Sequence, residues 1–144
     1  MEEMPWLSIV PSPLVRVIPI GQTVEAAGVT VELLAIEVRE RGAVLYWRAR
    51  ADRELPLQVA EVSVVDDHGT AYRVDPGGGG GNFRSWEGQT FARPAPPADA
   101  RLTIVLDTFR QDPRTLMTGG PPMGPVHGPW RFDVEPPSSD TLAR

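Results

Sequence analysis

The chain has 144 residues, of which 41% are hydrophobic and 23% charged, and it carries a net charge of −5. This is the size of one domain with apolar material for its own core, and the acidic balance argues against partners such as nucleic acid or anionic membranes. It has no cysteine, which excludes disulfides, thiol catalysis, thiolate zinc sites and iron–sulfur clusters.

Residues 1–13, MEEMPWLSIVPSP, read as a Pro-rich arm. Two Glu stand where a signal peptide carries basic residues, and Pro5, Pro11 and Pro13 interrupt any apolar helix. No run approaches 18 apolar residues, so no membrane insertion is expected. As written, the chain is expected in the cytoplasm, or in an envelope or extracellular setting if excised from a longer parent.

Helical periodicity is nearly absent from residues 14–135. "LVRVIPI" (14–20) reads as the first strand. "VTVELLAIEVRE" changes phase, with Val29, Val31 and Leu33 on one parity and Leu34, Ile36 and Val38 on the other. A β-bulge near Leu33–Ala35 reconciles the two halves, as does burial on both faces. In "AVLYWRARA", Leu45, Trp47 and Ala49 face inward. "LQVAEVSVV" (57–65) and "TAYRV" (70–74) follow, joined by the turn "DDHG", and "QTFAR" (89–93) reads as a short strand. In "RLTIVLDTF", Leu102, Ile104 and Leu106 point one way; in "GPWRFDVEP", Trp130, Phe132 and Val134 do. Residues 75–88, holding the run Gly77–Gly81, and residues 110–128 are expected to lack regular structure, and 136–144 to form a disordered tail. Seven or eight short strands over 14–135 predict an all-β antiparallel β-sandwich.

Four segments together, "GQTVEAAGVTVELLAIEVRERGAVLYWRARA", "VVDDHGTAYRV", "ARLTIVLDTF" and "GPWRFDVEP", resemble bacterial immunoglobulin-like domains of unknown function, of the type found in envelope and anti-sigma-associated proteins. The resemblance covers roughly residues 20–135 and implies an immunoglobulin-like sandwich and a non-enzymatic role. It transfers no functional residues. It implies that Trp47, on the third strand, takes the place of the buried core Trp of such domains.

Five consecutive glycines suggest a phosphate cradle, but a P-loop ends in Lys-Ser or Lys-Thr and opens a helix. Gly81 is followed by Asn82, Phe83 and Arg84, and the chain has no Lys. The run is expected to be a slack connector. Beside it, Phe83, Arg84 and Trp86, with Phe91 and Arg93, offer an aromatic–arginine platform for a sugar ring or a peptide. The bland alternative sends the aromatics into the core, with the arginines covering its edge. Asp66, Asp67 and His68 have the residue types of a metal site, with His127 as a further ligand if the 66–69 turn and the 110–128 segment share an end; otherwise the two Asp cap turn amides. Leu116, Met117, Met123 and Val126 give 110–128 an apolar, adaptable surface suited to a protein partner, or to a lid over the sandwich end. No Ser–His–Asp or paired-carboxylate arrangement is found. The expected function is therefore a non-catalytic module for protein–protein interaction or self-association, without cofactor or metal; the alternative is a carbohydrate-binding module using the Phe83, Arg84 and Trp86 region.

Overall fold

The computed structural model describes residues 9–54, 58–81, 84–111, 117 and 124–136. Eight strands follow in chain order: β1 (Leu14–Ala26), β2 (Val29–Arg39), β3 (Gly42–Ala51), β4 (Gln58–Asp66), β5 (Arg73–Gly81), β6 (Ser85–Arg93), β7 (Leu102–Gln111) and β8 (Val126–Val134). They form a five-stranded sheet in the order β1-β2-β3-β6-β5 and a three-stranded sheet in the order β4-β7-β8, and every pairing is antiparallel. The protein is an all-β antiparallel sandwich, as its alternation predicts.

Period-two patterning accounts for the core. In β8, Trp130, Phe132 and Val134 are buried while Arg131 and Asp133 are exposed. In β2 the register steps between Leu33, paired with Trp47, and Ala35, paired with Tyr46. That bulge lets Val31 and Leu33 on one side of the step, and Ile36 and Val38 on the other, all face the core. A second step, between Leu106 and Thr108 in β7, keeps Asp107 exposed and turns Phe109 inward. Phe109 then sits among three indoles, with ring centroids 5.6 Å from Trp47, 5.4 Å from Trp86 and 4.9 Å from Trp130.

One expectation is corrected. Residues 75–81 and 85–88 are not irregular: the glycine run belongs to β5, which pairs with β6 through Gly79↔Gly88, Gly80↔Glu87 and Gly81↔Trp86. The partner strand supplies the bulk that the glycines lack. A Cβ at Gly77 would lie 2.7 Å from Phe91 Cε2, so the bare backbone makes room for that ring. Residues 1–8 lie outside the described residues, but Ile9 is fully buried and forms a small second core with Val44 and Phe91. Val44 alternates with Ala43 and Leu45, which belong to the main core, so this cluster lies on the outer face of the five-stranded sheet. Ser12 Oγ donates to Ile9 O at 2.6 Å, and Arg39 Nη1 donates to Ser12 O at 2.8 Å, fastening the turn to the sheet. The expected disordered tail begins at Pro136, the last described residue; its remainder, 137–144, lies outside them.

The ladders also sort the connections between the two ends of the sandwich. The Ala27–Gly28 turn and the strand ends that lead from β3 to β4, β5 to β6 and β7 to β8 share one end, and Trp130 Nε1 donates to Val29 O at 2.9 Å, joining β8 to β2. The β2–β3 turn, the β4–β5 turn and the link from β6 to β7 occupy the other.

Candidate functional site

Phe83, Leu116 and Met123 lie outside the described residues. Of the others, Arg84, Trp86 and Val126 lie toward one end of the sandwich, with mixed orientation. Arg84 is exposed, and its carbonyl accepts from Ala51 N at 2.9 Å. Met117 is 86% exposed. Trp86 is only 2% exposed and stands edge-on to Phe109. It therefore belongs to the core and not to a surface platform. Its parity decides this: Trp86 alternates with the outward Glu87 and pairs across the sheet with the fully buried Ala49. Phe91 faces the opposite side, under Ile9. Val126, expected as contact surface, is buried opposite Phe109 at the start of β8.

The Asp66–His68 segment is a turn whose carboxylates are already engaged. Asp66 Oδ1 accepts from the His68 and Thr70 amides, both at 2.9 Å, and Oδ2 accepts from Tyr72 OH at 2.7 Å. Burial pushes the Asp66 carboxyl up, but the hydrogen bonds from Tyr72, Thr70 and His68 together outweigh it and hold the group below the usual carboxylate range. Burial, and next the bond to Asp66, push the Tyr72 phenol up. Asp67 Oδ1 accepts from Arg101 N at 2.9 Å. His127, the proposed further ligand, sits at the other end of the three-stranded sheet. It pairs with Thr108, whereas Asp66 pairs with Leu102, and six residues of strand separate these points by roughly 20 Å. The expectation that the 66–69 turn and the 110–128 segment share an end is thus overturned by the register. Among the described residues no group of three or more His, Asp or Glu is placed to hold a metal ion, and no helix is long and apolar enough to cross a membrane.

The most distinctive surface is one that strand-by-strand reading missed. The exposed large hydrophobics among the described residues are Val10, Leu14, Val15, Val17, Val65 and Met117, and four of these fall within residues 10–17. Leu14, Val15 and Val17 are 53%, 53% and 54% exposed. They begin β1, an edge strand whose only ladder among the described residues is to β2. Val15 lies at a register step between Leu14 and Arg16. The Arg16 guanidinium turns away from this strip, with Nη2 donating to Pro96 O and Pro97 O, each at 3.3 Å. Further along, Gln22 Nε2 donates to Asp133 O at 3.0 Å and ties the second half of β1 to β8. The sequence signal was present in "PLVRVIP": apolar residues on both parities, bracketed by prolines. Only the sheet order shows that the segment lies at an edge.

No family model matches the chain, and no curated protein matches it. Among solved structures it is similar to the crystal structure of a conserved domain protein from Bacillus anthracis, with a TM-score of 0.58 and 18% sequence identity. The match covers 67% of this chain and 36% of that one. At that identity the likeness speaks for the fold alone.

Proposed function

We propose that the protein is a non-catalytic, immunoglobulin-like module that binds another protein through the β1 edge. The carrying observation is that Leu14, Val15 and Val17 face solvent on a strand paired, among the described residues, along one side only. An uncovered apolar edge is a liability that natural sheets blunt with charge or cover, and an extended partner strand relieves it by adding to the sheet. The strand order supports the immunoglobulin-like part of the reading. With β1 set aside, β2-β3-β6-β5 over β4-β7-β8 follows the ABED and CFG order of constant-type immunoglobulin domains. In that frame β1 is an addition. Trp47 is buried on β3, the third strand in chain order; in the proposed frame its strand corresponds to the second. With the Trp86 indole in the core, the carbohydrate reading has no exposed indole at that position on which to stack a sugar ring.

The test is a photo-crosslinking residue placed at Val17 and, as a control, at the exposed Ser63 on the three-stranded sheet. In cells producing the protein, a discrete adduct from position 17 and none from 63 is expected. No adduct from position 17 would sink the reading.

A further inference from the structure

We infer that the opening between β4 and β5 is a binding site for a small uncharged molecule, an apolar body carrying one hydrogen-bond acceptor such as a ketone carbonyl. β4 and β5 are margins of the three-stranded and five-stranded sheets, and β1 is the opposite margin of the latter. The site is therefore separate from the β1 edge and does not rest on the reading of that edge.

The two sides of the sandwich are closed differently. On the β1/β8 side, Gln22 Nε2 donates to Asp133 O. On the β4/β5 side, Tyr72 N donates to Val64 O at 2.9 Å and the Tyr72 hydroxyl to Asp66 Oδ2 at 2.7 Å, which draws the margins together at the Asp66 end. Beyond that clasp a cavity of about 310 Å³ opens, walled by Ala60 and Val62 of β4 and by Val74 and Pro76 of β5. Small-molecule sites have this character, with mostly apolar walls and a few fixed polar groups.

The polar group at the floor is Thr90, which lines the cavity yet is only 3% exposed. Its Oγ1 accepts from Trp47 Nε1 at 3.2 Å. A hydroxyl also has one hydrogen to donate, and among the described residues that of Thr90 has no acceptor. A buried donor without an acceptor is costly, so a carbonyl that reaches the floor is favoured there.

Charge selects against ions. Glu61 and Asp75 complete the lining, and among the described residues no basic side chain contributes to it, so an anion is repelled. Each carboxylate already faces an arginine: Glu61 is paired with Arg110, and Asp75 Oδ2 lies 3.9 Å from Arg73 Nε. A cation would have to displace one of them, and a neutral ligand displaces neither.

Four benzene derivatives test this by titration into isotope-labelled protein followed by amide NMR spectra: acetophenone, ethylbenzene, benzoate and benzylammonium. Acetophenone should bind with a dissociation constant on the order of 1 mM, shifting the amides of Val62 and Val74 and the Trp47 indole N–H. Ethylbenzene, which lacks the acceptor, should bind about fivefold more weakly, the worth of one net hydrogen bond, and both ions should bind more weakly than acetophenone. Thr90→Val should erase the preference for the ketone. Val62→Phe, which fills the cavity from one wall, should abolish the shifts with an unchanged circular dichroism spectrum. The absence of saturable shifts at Val62 and Val74, binding that survives a folded Val62→Phe, or ethylbenzene or either ion binding as tightly as acetophenone overturns the inference. The ligand series uses the parent protein, so it decides the matter even where a variant fails to fold.

Discussion

Trp47 shows how much one residue's environment is written elsewhere in the chain. Its alternation with Leu45 and Ala49 marks it as inward, and it is 5% exposed. What lets the indole lie flat is Gly88, its cross-strand partner. A Cβ at Gly88 would run into the six-membered ring of Trp47, while Trp47 Nε1 is fixed by donating to Thr90 Oγ1 at 3.2 Å. Nothing near Trp47 in sequence announces this, because a register between strands so far apart has no local signature. Gly88→Ala should cost about 1–3 kcal/mol, the usual range for overpacking. Gly124→Ala, where a Cβ meets nothing within 4 Å, should stay within about 0.5 kcal/mol of the parent. Denaturant melts of the two variants give the comparison, and equal stabilities would show that the indole does not depend on the missing side chain.

Strands were legible where their side chains alternate and illegible where they have none. The bulge in β2 could be read because the apolar phase flips around Leu34; the one in β7 could not, because "LTIVLD" keeps its phase until Thr108 and Phe109 break it. β5 reads as slack for a simple reason: five glycines carry no pattern. Its pairing is determined by β6, and the edge position of β1 is likewise determined by sheet order. Trp86, in contrast, was readable as core from its parity with Gly88 and Thr90, and its neighbour Arg84 was a misleading cue. Replacing Gly77–Gly81 with Ser-Gly-Ser-Gly-Ser carries a different expectation in a paired strand than in a free loop. A Cβ at position 77 would also lie 2.9 Å from Gln89 O, and backbone cannot give way cheaply. A cost of about 1 kcal/mol should lower the calorimetric midpoint by roughly 3–6 °C. An unchanged midpoint would mean the β5 ladder contributes little to the fold.

At the scale of the molecule, the two sheets are stitched by the chain passing from β4 to β5. Tyr72 N donates to Val64 O at 2.9 Å just before β5 begins, and the Tyr72 hydroxyl closes on Asp66 at the end of β4. The Asp66 carboxyl is held low in the folded state. Its stabilising effect is therefore full above the unfolded value near 4 and is lost as pH falls through the folded value. Tyr72 is shifted up, so its share is full below about 10 and is lost as pH rises beyond that. Asp133, held low first by Arg131 and then by Thr103, adds to the acid limb, so the difference between parent and Asp66→Asn is the quantity to read. Thermal midpoints from pH 7 to 3 should fall less steeply for Asp66→Asn, from a lower start at pH 7; parallel acid limbs would remove Asp66 from the account. The same alternation of strands between sheets governs how the chain can assemble. β3 finds its second neighbour only in β6, and β4 is paired only once β7 exists. Such high contact order places folding in the millisecond-to-second range. On a growing nascent chain, the partners of the β1–β2–β3 meander are all made early, whereas the second edge of β3 has no partner until β6 has been synthesised.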